Sequence, residues 1–459
     1  MNSLRQSILY TALRAQGMDF RRHLAEAQDF QHLDFIAMME EQSRRFRRVV
    51  QRAACSNRVY QEILRERAGV TTADLSSVDL RHLPPVNKDE LARIAACVRA
   101  ANSWSRPIVK RTSGSSGRPL SLLKQRSGLS RELAATWRSY GWYGLQPGDR
   151  NVQVWGRPLS RKKRFVNAVK GFALNSVRIS AFDVTERTLT ERVARIVTAR
   201  PRFIYGYASA LRDLAEFMSN SGQCAPEHLR AVISTAEPLE SSTRDRIEAA
   251  FDAPCRDEYG CSEAGTIAHE CSHGQFHVMA DNLICEVLKD DGTVASDGLG
   301  ELLLTDLVNE LTPVIRYRLG DYCSLEPGSS CGCGLNLPLL KSIQGRVEDT
   351  VILADGTRHH PAKICYLVDE ADKRLGIVRQ YQVIQRSFNE LEIRLVGGTS
   401  SEVAAFSVEA EKLFRRELCA DLILTVTPAM NIPRERSGKF QLVKRQTDGS
   451  GATPHPGGR

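Results

Sequence analysis

The sequence contains no run of about 18 apolar residues, the length a helix needs to cross a bilayer, so no membrane span is expected. Residues 1–20 lack a continuous apolar segment and a small-residue cleavage site; without a leader of that kind the chain reads as soluble and cytoplasmic. Aromatic residues make up only 7%, and no aromatic platform accompanies the basic runs at Arg44, Arg45, Arg47, Arg48 and Arg52 or at Arg161, Lys162, Lys163 and Arg164. A solvated helix face and a basic turn account for these charges better than a base-stacking surface does. No internal repeat is seen, and no G-x-x-x-x-G-K-[ST] phosphate loop is present. There are 12 cysteines but no C-x-x-C pair. In a reducing compartment, clustered cysteines point to metal or catalysis and not to a disulfide framework.

What is present is ordinary globular material. The 459 residues are 42% hydrophobic and 25% charged, enough for a core and for more than one domain. The net charge of +9 suits an anionic ligand such as a nucleotide, coenzyme or nucleic acid without choosing among them. The first hundred residues carry apolar positions at helical spacing, among them Phe46, Val49 and Val50. From residue 108 to about 340, short apolar runs (151–155, 203–205, 229–233, 301–304) alternate with amphipathic stretches, which predicts α/β architecture with substantial sheet. A second unit begins near Gly345, with strands expected at 351–353, 381–385 and 391–395 and a helix at 403–417. The expected fold class is therefore α/β, a large multi-layer α/β domain followed by a small α+β domain. The boundaries are 1–345, with a helical entry over about 1–105, then 346–446, then a disordered tail at 447–459 rich in Gly and Pro.

The most pointed segment is Arg111-Thr112-Ser113-Gly114-Ser115-Ser116-Gly117-Arg118-Pro119. Its glycines and hydroxyls make a loop whose backbone N–H and side-chain O–H groups can wrap phosphate oxygens. It resembles the T-S-G-S-T-G-x-P loop of the adenylate-forming enzyme superfamily, and other hallmarks of that superfamily follow in order. Asp257-Glu-Tyr259-Gly260-Cys-Ser262-Glu263 is similar to Y-G-x-T-E. Arg316-Tyr-Arg-Leu-Gly-Asp321 is similar to Y-R-T-G-D, Gly345-Arg346-Val-Glu348-Asp349 to the G-R-x-D-D hinge, and Ser437-Gly438-Lys439 to the segment carrying a C-terminal lysine. Within the superfamily the chain resembles the phenylacetate–coenzyme A ligase branch. Ser56-Asn-Arg-Val-Tyr60, Leu83-Pro-Pro-Val-Asn-Lys88, Thr305-Asp306-Leu307, Pro313-Val-Ile-Arg316 and Cys331-Gly-Cys333-Gly334 carry that likeness.

The resemblance implies ATP-dependent adenylation of an aromatic or otherwise small carboxylic acid, followed by acyl transfer to coenzyme A. Its physical demand is charge stabilisation, because a carboxylate must approach a polyanion and pyrophosphate must leave. Thr112, Ser113, Gly114, Ser115, Ser116 and Gly117 would then cradle the β- and γ-phosphates, with Arg118 as a nearby cation. Glu263 would hold Mg2+, a hard cation suited to carboxylate and phosphate oxygens, flanked by Tyr259, Gly260 and Ser262. Ala236, Glu237 and Pro238 would lie against adenine, although Glu237 also reads as a solvent-facing turn residue. Asp321 would accept from the ribose hydroxyls, and Arg346 would sit on the sugar-phosphate side. Glu348 is read as the hinge pivot, with Asp349 next to it. Lys439 would bridge the carboxylate and the α-phosphate in one orientation of a mobile small domain, whose closure excludes water. The acyl pocket would lie near Tyr205, Tyr207, Ser209, 234–236 and 259–261.

Some members of this branch bind zinc through similar Cys/His segments. The resemblance thus implies a structural Zn2+ held by Cys271, Cys331 and Cys333, with His277 ahead of His273 as fourth ligand and Cys323 as a substitute. Cys55, Cys97, Cys224, Cys285, Cys365 and Cys419 are isolated and read as small buried hydrophobes. Two other functions stay open. One is an adenylating ligase that passes the acyl group to an amine or a carrier-protein thiol; the other is a zinc-containing nucleic-acid-binding protein, for which no base-reading motif appears. No nucleic-acid or membrane partner is expected, and a homodimer is left open.

Overall fold

A computed structural model describes residues 2–70, 79–98, 107–111, 120–155, 175–181, 185–433 and 440–446. The chain divides into two compact units, one of residues 1–319 and 324–342, the other of residues 320–323 and 343–459. No described helix is long and apolar enough to cross a membrane.

The first unit opens with helices α1 (Asn2–Ala15), α2 (Phe20–Phe30), α3 (Phe35–Ser56), α4 (Arg58–Ala68) and α5 (Lys88–Ala96). Their starts are written in the sequence. The Asp34 side chain accepts from Ala37 N–H at α3, and Asn87 with Glu90 closes a capping box at α5. Arg44, Arg47, Arg48 and Arg52 of α3 are exposed, with Arg44 paired to Glu41 and Arg48 to Glu310 at 2.8 Å, whereas Arg45 turns inward, pairing with Glu41 and donating to the Asp281 carbonyl. The solvated-face reading of that run thereby has its partners.

A hairpin of β1 (Ile108–Arg111) and β2 (Ser121–Lys124) precedes α6 (Arg126–Gly141). Strands β3 (Asn151–Val154), β4 (Ser176–Ile179), β5 (Phe203–Tyr207), β6 (Ala231–Thr235) and β7 (Cys255–Cys261) pair in parallel in the order β4-β3-β5-β6-β7. Crossovers α7 (Glu186–Ala199), α8 (Ala208–Ser221) and α9 (Ser241–Phe251) cover one face, where Ile204, Leu211, Val232 and Phe251 are buried together. Tyr140, Phe203, Ala231 and Ile233 pack on the other face, with Trp137 of α6 against them. Every residue of β6 is buried, as expected of a strand covered on both faces.

The sheet continues with β8 (Gly265–Glu270), β9 (Phe276–Val278), β10 (Leu283–Leu288), β11 (Val294–Ala295), β12 (Gly298–Asp306), β13 (Tyr317–Glu326) and β14 (Leu339–Arg346). Its full order is β11-β10-β12-β13-β14-β9-β8-β7-β6-β5-β3-β4, twelve strands in all. The chain passes from one unit to the other within β13 and again within β14.

The second unit holds a short hairpin of β15 (Val351–Ile352) and β16 (Arg358–His359), with Gly356 in the left-handed region at its turn. Helices α10 (Pro361–Asp372) and α11 (Ser400–Glu417) pack on a sheet of β17 (Gln380–Ser387), β18 (Glu390–Val396), β19 (Ile423–Pro428) and β20 (Val443–Arg445), ordered β19-β18-β17-β20. Strict alternation in β18 buries Leu391, Ile393 and Leu395 beneath Phe406 and Phe414 of α11. The strands expected at 381–385 and 391–395 and the helix at 403–417 lie inside these elements, and the strand expected at 351–353 is found as the two residues of β15.

Candidate active site

In an open α/β sheet, ligands bind beyond the carboxyl ends of the parallel strands. Here that edge carries Trp155 after β3, Tyr207 ending β5, Ala236-Glu237-Pro238 after β6, and Tyr259-Gly260 near the end of β7. Ala236 has φ +66°, a conformation that costs a non-glycine residue about 1 kcal/mol or more. The strained turn aims Glu237 inward. Its carboxylate, only 8% exposed, accepts from Ser209 N–H at 2.9 Å and so caps α8, whose own N-cap Tyr207 has no side-chain acceptor. The alternative of a solvent-facing Glu237 is therefore corrected: the helix end needs an acceptor, and the carboxylate supplies it from the neighbouring strand's loop.

The β1–β2 hairpin frames the Ser/Gly loop, but Thr112, Ser113, Gly114, Ser115, Ser116, Gly117 and Arg118 lie outside the described residues. The root of the hairpin is described and carries charge that sequence reading missed. Lys124 is fully buried and contacts Glu132 of α6, with Asp306 at 3.5 Å; Lys110 reaches the other oxygen of Glu132 at 2.6 Å. Burial opposes both ionised forms. Nevertheless the carboxylates hold the Lys124 pKa up, and the two ammoniums hold the Glu132 pKa down. Asp306 in turn accepts from Val308 and Asn309 N–H, and Asn309 donates to the Leu123 carbonyl of β2.

Glu132 has a second contact. Gly265, at φ +82°, follows Glu263 in the β7–β8 turn, and a Cβ there would lie 3.1 Å from Glu132 Oε2. One carboxylate thus packs against both the hairpin root and the turn that carries Glu263. Glu263 is only 9% exposed, and no ion-pair partner for it occurs among the described residues, which leaves a sheltered carboxylate for a cation. Ser262 and Gly260 are exposed, and Tyr259 is half-buried.

Behind β7 lies a further group absent from the sequence reading. Glu258 is buried and receives hydroxyl hydrogen bonds from Tyr140 and Tyr205, each at 3.0 Å. Desolvation pushes its carboxyl up to about 7. Neighbouring His269 is fully buried among Tyr140, Trp142 and Tyr143, and desolvation lowers its pKa to about 4, so the ring is neutral.

The start of the ribose-like motif is fixed by Arg316, itself at φ +46°. Its guanidinium grips Glu286 at 2.9 and 2.5 Å and donates to the Leu83 carbonyl at 2.6 Å. In the second unit Arg346 Nε lies 3.4 Å from Asp321 Oδ1, and the Tyr322 ring stacks on His360 at 3.9 Å. Gly345 has φ +101°, and a Cβ there would meet Pro361 at 2.8 Å, so the hinge motif requires glycine at that point. Gln441 donates to Asp349, whereas the Glu348 side chain and Lys439 lie outside the described residues.

Cys271, His277, Cys331 and Cys333 converge, with their ligand atoms all within 4.8 Å of one another. The Cys271 and Cys331 sulfurs are 3.6 Å apart, far beyond a disulfide bond but near the edge of a thiolate tetrahedron. His277 Nε2 is 3.2 Å from Cys333, while its Nδ1 is 3.0 Å from the Leu337 carbonyl, which orients the ring toward the sulfurs. This donor set fits zinc. Neither His273 nor Cys323 belongs to it: His273 is exposed, and Cys323 is counted with the second unit. Of the isolated cysteines read as buried, Cys55 and Cys224 are exposed and the other four half-buried: Cys55 lies in the last turn of α3, Cys97 directly follows α5, Cys285 lies in β10, and Cys365 and Cys419 pack at the margin of the second unit's core.

This architecture matches that of the adenylate-forming ligases. The structure of 2-hydroxyisobutyryl-CoA ligase in its postadenylation state aligns with a TM-score of 0.73 at 19% identity, covering 92% of this chain and 91% of that one. In sequence, part of the chain is similar to phenylacetate–coenzyme A ligases. It is 32% identical to the Escherichia coli enzyme over 174 residues, 36% of this chain and 39% of the relative. It is also 23% identical to Protein CapK of Staphylococcus aureus over 292 residues, 63% of each. The chain thus matches less than two thirds of the length of these curated relatives. No family model matches it.

Proposed function

We propose that the protein activates an aromatic or otherwise small carboxylic acid with ATP and transfers the acyl group from the adenylate to coenzyme A. The observation that carries this reading is the double contact of Glu132. It ties the root of the β1–β2 hairpin to the turn bearing Glu263, which supports a reading in which the loop joining those strands and Glu263 act on one ligand. Chemistry on a triphosphate needs that pairing, because charge develops on the leaving pyrophosphate as the acid attacks. The relatives named phenylacetate–coenzyme A ligase support the thioester product.

In this reading the residues 112–118 hold the β- and γ-phosphates, and Glu263 holds Mg2+, which supplies further charge neutralisation when bound. The strained Ala236 turn presents backbone to adenine, with Glu237 anchoring it. Asp321 accepts from the ribose hydroxyls, and Arg346 faces the sugar-phosphate. Lys439 neutralises charge between acid and α-phosphate, and movement of the second unit about 345–349 withdraws it for thioester formation. Cys271, His277, Cys331 and Cys333 hold one structural zinc, which fastens the β8–β9 turn to the loop before β14. A cytoplasmic location accords with the ATP and coenzyme A such a reaction consumes.

Pyrophosphate release from a panel of carboxylic acids, with and without coenzyme A, tests the proposal. Acid-dependent release followed by thioester formation is the expected result. Hydroxamate trapping without a thioester would move the acceptor to an amine or carrier thiol, and no ATP consumption with any acid would end the ligase reading.

A further inference from the structure

Resting on that reading, the geometry points to a narrower substrate class: an aromatic acid whose ring carries a hydroxyl or amino donor, received by the carboxylate of Glu258. Three observations carry this. First, Glu258 lies level with Tyr207 and Thr235 across β5, β6 and β7, at the carboxyl edge of the parallel strands, the edge where open α/β sheets take their ligands. It is 7% exposed, and Tyr205 and Tyr259 beside it in sequence or contact are half-buried, so the group lies low at that edge.

Second, its surroundings leave it hungry for a donor. Tyr140 gives one hydrogen bond to Oε2 and Tyr205 one to Oε1; Thr235 donates to the backbone carbonyl instead. A carboxylate offers about four acceptor sites, so two remain. No cation pairs with it among the described residues, and burial raises its pKa to about 7, the signature of a carboxyl whose desolvation is incompletely compensated. A structural carboxylate deep in a fold is ordinarily given an arginine or lysine, as Glu132 and Glu286 are here.

Third, the adjoining walls are flat and aromatic. Trp155 stacks on Tyr207 with ring centres 4.2 Å apart and on Tyr205 at 5.6 Å, yet stays 40% exposed. Such a platform takes a planar ring, and its polar end is Tyr205, whose hydroxyl meets Glu258. Ring stacking would then present a hydroxyl or amino substituent to the carboxylate.

The test measures kcat/KM for pyrophosphate release with benzoate and phenylacetate and with their 3- and 4-hydroxy and 3- and 4-amino derivatives. Wild type, Glu258→Gln and Glu258→Leu are compared, and thermal melts establish that both variants are folded. Wild type should favour at least one hydroxy or amino acid over its parent by about tenfold or more, since a buried acceptor discriminates against a ligand that leaves it unmet. Glu258→Leu should lower that ratio at least about tenfold, and Glu258→Gln should retain part of it. The hydroxy and amino arms separate the two donors. Equal rates for parents and derivatives, or an unchanged ratio in a folded Glu258→Leu, would overturn the inference while leaving the ligase reading intact. Absence of pyrophosphate release with every acid overturns both.

Discussion

Cys333 Sγ lies 3.2 Å from Nε2 of His277, on the side of the ring opposite the Leu337 carbonyl. A histidine held this way presents one nitrogen and one orientation, which is how proteins aim imidazole at a metal. Metal analysis of the purified protein should find about one zinc per chain, reduced to a trace in His277→Ala and Cys331→Ser. Chelation should lower the melting temperature of wild type and not of these variants. A metal-free protein of full stability and activity would remove the site.

Glu132 faces Lys110 and Lys124 from within the fold. Breaking a buried pair by removing one partner costs about 3–5 kcal/mol, because the remaining charges lose their compensation. Glu132→Gln should therefore lower urea stability by about that amount and weaken ATP binding, since the hairpin root loses its anchor. A loss below about 1 kcal/mol would show that the lysines find other partners.

Glu258 makes stability depend on pH. Its pKa is 4.5 in the ordinary state and about 7 in the fold, so the folded protein keeps a proton that the unfolded chain releases. That contribution is fully present below the ordinary value and is lost as pH rises through about 7. Wild type should thus lose stability relative to Glu258→Gln between pH 5 and 8, read as the difference in urea midpoints. Parallel curves for the two proteins would contradict it. His269 is common to both proteins, whereas Asp257, pushed up by burial and by neighbouring carboxylates that include Glu258, responds to the substitution, so the difference reports Glu258 together with its effect on Asp257.

Lys439→Ala should abolish acid-dependent pyrophosphate release while leaving ATP affinity within about threefold, because in the proposed reaction the lysine acts on the reacting carboxylate and α-phosphate and the nucleotide keeps its other contacts. Equilibrium binding of a non-hydrolysable ATP analogue separates the two effects. Retention of release in the variant would remove Lys439 from the chemistry.

Much of this was legible in the residues because the signals are local. Alternation marks β18, and glycine at 345 marks a backbone position that a side chain cannot fill. The four converging Cys and His residues were legible through resemblance, since the 53 positions between His277 and Cys331 hide their meeting. Buried charge was not legible. Lys124, Glu132 and Glu258 look in sequence like surface residues; only the sheet register and the placement of α6 reveal that they are enclosed. Glu237 was half read: its loop was identified, but its task at the start of α8 depends on a neighbouring strand.

The passage of the chain between its two units inside β13 and β14 has a consequence for cutting the protein apart. A fragment beginning at Ile343 would carry Arg346 but leave behind residues 320–323, and with them Asp321, its ion-pair partner, and Tyr322, which stacks on His360. A single cleavage therefore cannot yield the small unit whole. Exchanging it with that of a relative requires three junctions, one on either side of residues 320–323 and a third near Ile343, because the smaller unit is assembled from separated stretches of sequence.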